Sequence, residues 1–261
     1  MNDRIDAIAR EIIRQHQTGE TFSIFEAPMA PRDMDEAYAA QFHLHRLHAA
    51  EGRGPLGGRK IALASKVQQE LCGVDHPIAG GIFAREIHQS PAKLKLADYH
   101  GLGLEFELAA VLAADIGPGD GPFDKTTIRE KVASVHPAFE MIIDRGADYA
   151  KLNGLTMAAD NAWCAGIVLG PAIGDWRALD VDALPVSLRW NDEPEQTALA
   201  GAADPFGSLA WVAGVLTGAG QVLKAGEVVI TGSVIRTRAP EIGDHVRYRI
   251  GDTAEVEVTI G

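Results

Sequence analysis

Between residues 2 and 17, apolar side chains recur at Ile5, Ile8, Ala9, Ile12 and Ile13, with Arg and Glu between them. That spacing predicts an amphipathic helix. A second helix is predicted from about Asp33 to Ala50, ending near Gly52. From Gly57 onward the pattern changes to short apolar runs with period-two alternation, cut by Gly and Pro. Strands are predicted near Lys60–Ala64, Gly81–Glu86, Leu102–Ala114, Ser134–Ile143, Ala165–Leu169, Val186–Asn191, Val228–Thr231, His245–Ile250 and Val256–Ile260. Short helices are predicted at Lys66–Leu71, Lys125–Val132 and Leu209–Leu216, and residues 117–122 read as a loop by composition. No repeat, low-complexity tract or linker divides the chain. The pattern therefore predicts a β-rich α+β protein, with a helical region at 1–56 and a β-rich domain at 57–261 forming one structural unit.

Composition narrows the functional classes. The 261 residues are 46% hydrophobic and 23% charged, as in ordinary globular proteins. No segment approaches the roughly 18 uncharged apolar residues of a membrane span. Residues Met1-Asn2-Asp3-Arg4 lead into the amphipathic stretch without a secretory pattern, so a cytoplasmic location is expected. With 24 basic and 36 acidic residues the formal charge is −12, which disfavours nucleic acid and anionic membranes as partners. Cys72 and Cys164 cannot form a disulfide framework, and both fall in apolar surroundings that suit core fillers. There is no phosphate-binding loop, no dinucleotide fingerprint around Gly101-Leu102-Gly103, and no serine nucleophile elbow. His43, His45 and His48 do not form a ligand set, because His43 and His45 point about 160° apart on a helix.

The chemistry is concentrated in Leu102–Leu112. Strand alternation puts Glu105 and Glu107 on one face, with Leu104, Phe106 and Leu108 on the other. The two glutamate Cα atoms should lie roughly 6.6 Å apart, close enough for both carboxylates to reach one ion. Taken alone, the pair reads as the polar face of an exposed strand. The continuation Ala109-Ala110-Val111-Leu112-Ala113 is apolar on both faces, as in a buried strand, and two buried glutamates repel each other unless a cation joins them. Glu140 interrupts a second apolar run and supplies a candidate third acid, while His136 nearby reads as an ordinary core or edge histidine. Three carboxylates without clustered thiols or imidazoles suit a hard ion such as Mg²⁺ or Mn²⁺.

Six segments occur in a telling order: Gly58-Arg59-Lys60-Ile61, Gly73-Val74-Asp75-His76-Pro77, Glu105-Phe106-Glu107, Pro137-Ala138-Phe139-Glu140, Ala159-Asp160-Asn161-Ala162 and Thr231-Gly232-Ser233. In these the chain resembles the 2-oxopent-4-enoate (2-hydroxypenta-2,4-dienoate) hydratases and the related 2-oxo-3-hexenedioate decarboxylases of catechol meta-cleavage pathways. Both belong to the fumarylacetoacetate hydrolase superfamily. The resemblance implies that superfamily's mixed-sheet core and a divalent-metal-dependent lyase acting on a short 2-oxo or 2-hydroxy-dienoic acid, in a homo-oligomer. It implies Glu105, Glu107 and Glu140 as metal ligands, Lys60 as the catalytic lysine, and Thr231, Ser233, Asp160 and Asn161 as residues near the substrate. Asp160 and Asn161 equally suit a helix or strand cap. Decarboxylation, acylpyruvate-type carbon–carbon hydrolysis and a metal-retaining binding protein with little turnover remain open beside hydration.

Two positions depart from the family pattern. Ile78 stands where many of these hydratases have an aspartate near the catalytic lysine, and Trp163 replaces a small residue, which reduces pocket space. With Ile78 as its neighbour and an ion nearby, Lys60 is expected to titrate well below the ~10.4 of a free lysine.

Overall fold

The computed structural model describes residues 3–252 and 254–261; Asn2, where the first helical pattern opens, and Thr253 lie outside them. Its helices are α1 (Asp3–Thr18), α2 (Met34–His48), α3 (Lys66–Leu71), α4 (Lys125–Arg129), α5 (Gly154–Ala159) and α6 (Pro205–Gly218). The strands are β1 (Leu56–Ala62), β2 (Ile78–Phe83), β3 (Ile87–Gln89), β4 (Ala92–Leu94), β5 (Leu102–Leu112), β6 (Val132–Ile143), β7 (Cys164–Leu169), β8 (Pro185–Trp190), β9 (Gln196–Leu199), β10 (Val228–Arg238), β11 (His245–Ile250) and β12 (Ala254–Ile260). Two mixed sheets result, ordered β2-β1-β10-β5-β6-β7-β3 and β4-β12-β11-β8-β9. The α+β expectation holds.

The first sheet positions everything that follows. At its centre β5 pairs with β6 antiparallel, setting Glu105 opposite Glu140 and Phe106 opposite Phe139. The aromatic face packs on the second sheet, with Phe106, Phe139 and Tyr248 rings about 6 Å apart, so apolar burial holds the two sheets together. On its other side β5 pairs with β10, whose register shifts at Gly232, a glycine with φ +106°. Parallel pairing of β1 with β10 then places Lys60 opposite Ile230. The sheet curls until β2 packs against β7.

Helices α1 and α2 cover one end of this sheet. Asp33 caps α2 by accepting from the Glu36 N–H, and Ile5, Ile8, Ile12 and Ile13 form the buried face of α1. These side chains join Leu44, Ile78, Met157 and Trp163 in one apolar cluster. His43 and His45 face different partners, as their angular separation requires: His43 meets Asp6 on α1, whereas His45 meets Asn161. Among the described residues no helix is long and apolar enough to cross a membrane.

Candidate active site

Alternation along β5 and β6 turns Glu105, Glu107 and Glu140 to the same face, opposite the aromatic core. One oxygen from each lies within 4.8 Å of the other two. Glu107 and Glu140 are fully buried and Glu105 is half-buried. Backbone and hydroxyl donors orient two of them: the Gly232 N–H donates to Glu107 Oε2 at 2.7 Å, and Thr237 Oγ1 donates to Glu105 Oε1 at 2.6 Å. Glu107 Oε1 and Glu140 Oε2 accept no hydrogen bond within the chain.

Lys60 reaches the same point from β1. Three strand spacings of roughly 4.8 Å would separate β1 from β6 in a flat sheet; the curl brings Lys60 Nζ to 2.5 Å from Glu140 Oε1. Nζ also donates to the Ala162 carbonyl at 3.0 Å. Burial works against the ammonium, but the charge of Glu140, with Glu105 adding to it, outweighs burial and raises the lysine above its ordinary range. This corrects the expectation that Lys60 lacks an acidic neighbour. Ile78 is indeed apolar and buried at the start of β2, but the acid comes across the curled sheet, a neighbour that chain order conceals. The carboxyls respond in kind. Burial, then the charges of Glu140 and Glu105, push Glu107 well up; burial also pushes Glu140 up, with Lys60 opposing. Burial raises the Cys164 thiol to about 12, so it stays neutral beside them, a core filler as its surroundings suggested.

Three carboxylates and one ammonium carry a formal charge of −2 in a site from which water is nearly excluded. Isolated buried charges cost several kcal/mol each. The residues therefore fit a divalent cation: it would balance the charge and occupy the free oxygens, and an all-carboxylate donor set suits a hard ion.

The remaining candidates divide. Thr231 Oγ1 donates to the Leu108 carbonyl at 2.8 Å. Ser233 Oγ accepts from the Phe106 N–H at 2.8 Å and donates to the Ile235 carbonyl at 2.7 Å. Both thus brace the β10 irregularity that delivers the Gly232 N–H to Glu107. Asp160 ends α5, with its carboxylate 2.8 Å from Arg145 Nη1 and 2.6 Å from His16 Nε2. Asn161 is bound to His45 and Gly81. Asn161, Ala162 and Trp163 all have left-handed backbones, with φ of 55°, 51° and 60°. Such a conformation costs roughly 1–2 kcal/mol per non-glycine residue, so three in succession persist only where the surroundings hold them. Trp163 packs edge-on against Phe22 at 5.0 Å and near Tyr149 at 6.1 Å. His136 is occupied by Ser134 and the Gly170 carbonyl, in keeping with a structural histidine.

Sequence reading missed Thr237, Arg145 and the polar residues of α2. For α2 the signal was present: Tyr38, Gln41 and His45 stand within the buried stripe of the helix, where polar side chains need partners.

The chain is similar to several known proteins. No family model matches the chain. A 2-hydroxyhexa-2,4-dienoate hydratase of Comamonas testosteroni is 32% identical over 216 residues, covering 81% of this chain and 80% of its own. A 2-keto-4-pentenoate hydratase of Paraburkholderia xenovorans is 28% identical over 253 residues, covering 96% and 89%. The structure of 4-oxalocrotonate decarboxylase from Pseudomonas putida G7, complexed with magnesium and adipate, superposes with a TM-score of 0.89 at 21% identity, over 100% of this chain and 98% of that one. The fold is shared with that decarboxylase and, at a TM-score of 0.56, with a Yersinia pestis protein assigned to the fumarylacetoacetate hydrolase family; the chain belongs to the family of 2-hydroxy-dienoate (2-keto-alkenoate) hydratases, which are hydro-lyases.

Proposed function

We propose that this enzyme is a divalent-metal-dependent hydratase that adds water to a short 2-hydroxy-dienoic acid such as 2-hydroxypenta-2,4-dienoate, in aromatic meta-cleavage catabolism. The observation that carries the reading is the buried donor set of Glu105, Glu107 and Glu140, with its net negative charge and free oxygens, beside a lysine. The three glutamates would hold Mg²⁺ or Mn²⁺. When bound, such an ion supplies electrophilic polarisation of a chelating 2-oxo acid.

Lys60 is the proton carrier. Its Nζ is held between Glu140 and the Ala162 carbonyl, so the amine stands beside the glutamates at a fixed point. From there it delivers a proton to C5 of the dienol as the enol O–H proton leaves to solvent, and it takes one back from the water that adds at C4, C3 then being protonated from solvent. Thr231 and Ser233 keep the β10 turn in shape against the glutamates; Asp160 and Asn161 act on the site through the turn that carries Ala162. We take residues 1–56 as a helical region serving the β-rich catalytic unit at 57–261, in a cytoplasmic homo-oligomer.

Ultraviolet absorbance of 2-hydroxypenta-2,4-dienoate, with Mg²⁺ and separately with Mn²⁺, tests the reading. Metal-dependent loss of the diene with formation of a 4-hydroxy-2-oxo acid is expected. Lys60→Met should lower turnover by about 10²–10⁴-fold while metal binding persists. Release of CO₂ from 2-oxo-3-hexenedioate without hydration would establish decarboxylation instead, the activity named for the 4-oxalocrotonate decarboxylase that shares this fold. Cleavage of acylpyruvates alone would mark a hydrolase, and absence of turnover across the panel would leave a binding protein.

A further inference from the structure

Helix α2 presents three buried polar side chains, Tyr38, Gln41 and His45, toward the segment around Lys60. Tyr38 Oη accepts the Ala79 N–H at 2.9 Å. Gln41 Nε2 donates to the carbonyls of Ala79 at 2.8 Å and Ala158 at 2.7 Å, joining β2 to α5. His45, one turn further along, meets Asn161 Oδ1 at 2.7 Å. The Asn161 amide is oriented by a two-point bond to Gly81: Oδ1 accepts its N–H at 2.7 Å and Nδ2 donates to its carbonyl at 2.8 Å. With Oδ1 so defined, the His45 ring must carry its proton on Nε2 and donate. Burial holds the ring neutral, at a pKa of about 3.

Asn161 opens the left-handed turn whose next residue, Ala162, offers its carbonyl to Lys60 Nζ. The approach is close on every side. A Cβ at Gly80 would meet Asn161 O at 2.9 Å and Lys60 Cγ at 3.0 Å, and one at Gly81 would meet His45 Cε1 at 2.7 Å. The two glycines leave only enough room for the histidine, the turn and the lysine stem to pack together.

We propose that His45 is a positioning residue for the reaction: acting through Asn161, it holds the strained turn so that the Ala162 carbonyl fixes the Lys60 amine beside the glutamates. The proposal rests on the hydratase reading given above. Without this clamp the turn relaxes toward right-handed or extended backbone, the carbonyl swings away, and Nζ loses its second anchor. A misplacement of about 1 Å at a reacting group can cost on the order of 10²-fold in rate.

Three variants of the full-length protein test this. His45→Leu removes the donor, His45→Gln keeps an amide donor, and Asn161→Gly tolerates the left-handed backbone but no longer holds it there. In His45→Leu, kcat should fall about 10–100-fold, with KM and the Mg²⁺ dissociation constant from calorimetry within a few-fold of wild type. His45→Gln should recover much of the loss, and Asn161→Gly should resemble His45→Leu. A second readout does not depend on turnover: reductive methylation of Lys60, followed by peptide mass spectrometry, should speed up in His45→Leu and return toward wild type in His45→Gln. Wild-type kcat together with an unchanged Lys60 methylation rate in His45→Leu would overturn the proposal. So would a parallel collapse of kcat, Mg²⁺ binding and far-ultraviolet circular dichroism that Gln does not rescue. If wild type turned over no dienoate, the hydratase reading would fail, while the methylation rates would still decide whether His45 positions Lys60.

Discussion

Glu107 concentrates the problem this site solves. Its carboxyl is fully buried, takes one hydrogen bond from the Gly232 N–H, and faces two other acids with one oxygen free. Without a cation it is pushed toward its protonated form, so the metal-free protein carries a destabilising cluster at neutral pH. A ligand present at 100 times its dissociation constant stabilises the fold by about 2.7 kcal/mol, or several degrees of melting temperature for a chain of this size. Wild-type protein stripped with chelator should therefore gain several degrees on adding millimolar Mg²⁺ or Mn²⁺. Glu107→Gln should melt no lower than wild type in chelator and gain little from either ion. A full metal-induced shift in the variant would remove Glu107 from the donor set. The glutamates were legible in sequence because strand alternation alone dictates which side chains share a face. The Lys60–Glu140 pair was not, since β1 and β6 meet only through curvature of a sheet whose strand order the chain does not spell out.

At the level of elements, the long strands β5 and β6 were read nearly in full, and β11 matched its predicted bounds. The short pieces were missed. Strands β3, β4 and β9 span three or four residues each, too few for a period to show, and α5 is a six-residue helix whose Asn153 cap was not noticed. Strand β10 was expected to stop at Thr231 but runs on to Arg238 across the Gly232 irregularity, because β5 keeps pairing with it. Helix α2 was foreseen, but not what its buried polar residues hold. His45 and His48 there are both lowered mainly by burial, to about 3 and about 4 from an ordinary 6.5. Unfolding releases both rings to bind protons. The stability tied to their neutral forms is therefore complete well above pH 6.5 and is lost progressively as pH falls below it, the loss levelling off near 4 for His48 and near 3 for His45. Each ring should add roughly 1 kcal/mol of loss per pH unit inside its window. Denaturant melts at pH 7, 6 and 5 should show His45→Gln losing stability less steeply than wild type, by about one proton. Equal slopes would show that His45 is not held neutral.

At the scale of the whole molecule, the helices and the first sheet share one apolar cluster. Amphipathic spacing marked residues 1–56 as helical and the change of period near Gly57 marked the rest as β-rich, but sequence could not show how the two meet. The structure places that meeting in one apolar cluster. Ile8 and Ile12 of α1 and Leu44 of α2 pack with Ile78 of β2, Met157 of α5 and Trp163. Polar bonds cross the same boundary, from Gln41 to Ala79 and Ala158, from His45 to Asn161, and from His16 to Asp160. Neither part can leave without exposing the other's apolar face and orphaning buried donors. Each fully buried aliphatic side chain contributes roughly 1.5–3 kcal/mol, so exposing the shared cluster would cost an amount comparable to the 5–15 kcal/mol net stability of a typical domain. Calorimetric unfolding of the metal-free chain should accordingly show one transition in which helix and sheet signals are lost together. Leu44→Ala, in this cluster, should lower stability by the roughly 2–5 kcal/mol usual for such truncations, moving that single midpoint down without splitting it. An early helical transition with the sheets intact would mean that residues 1–56 are a separable appendage. The clamp on Lys60 would then be able to open while the catalytic sheet stayed folded.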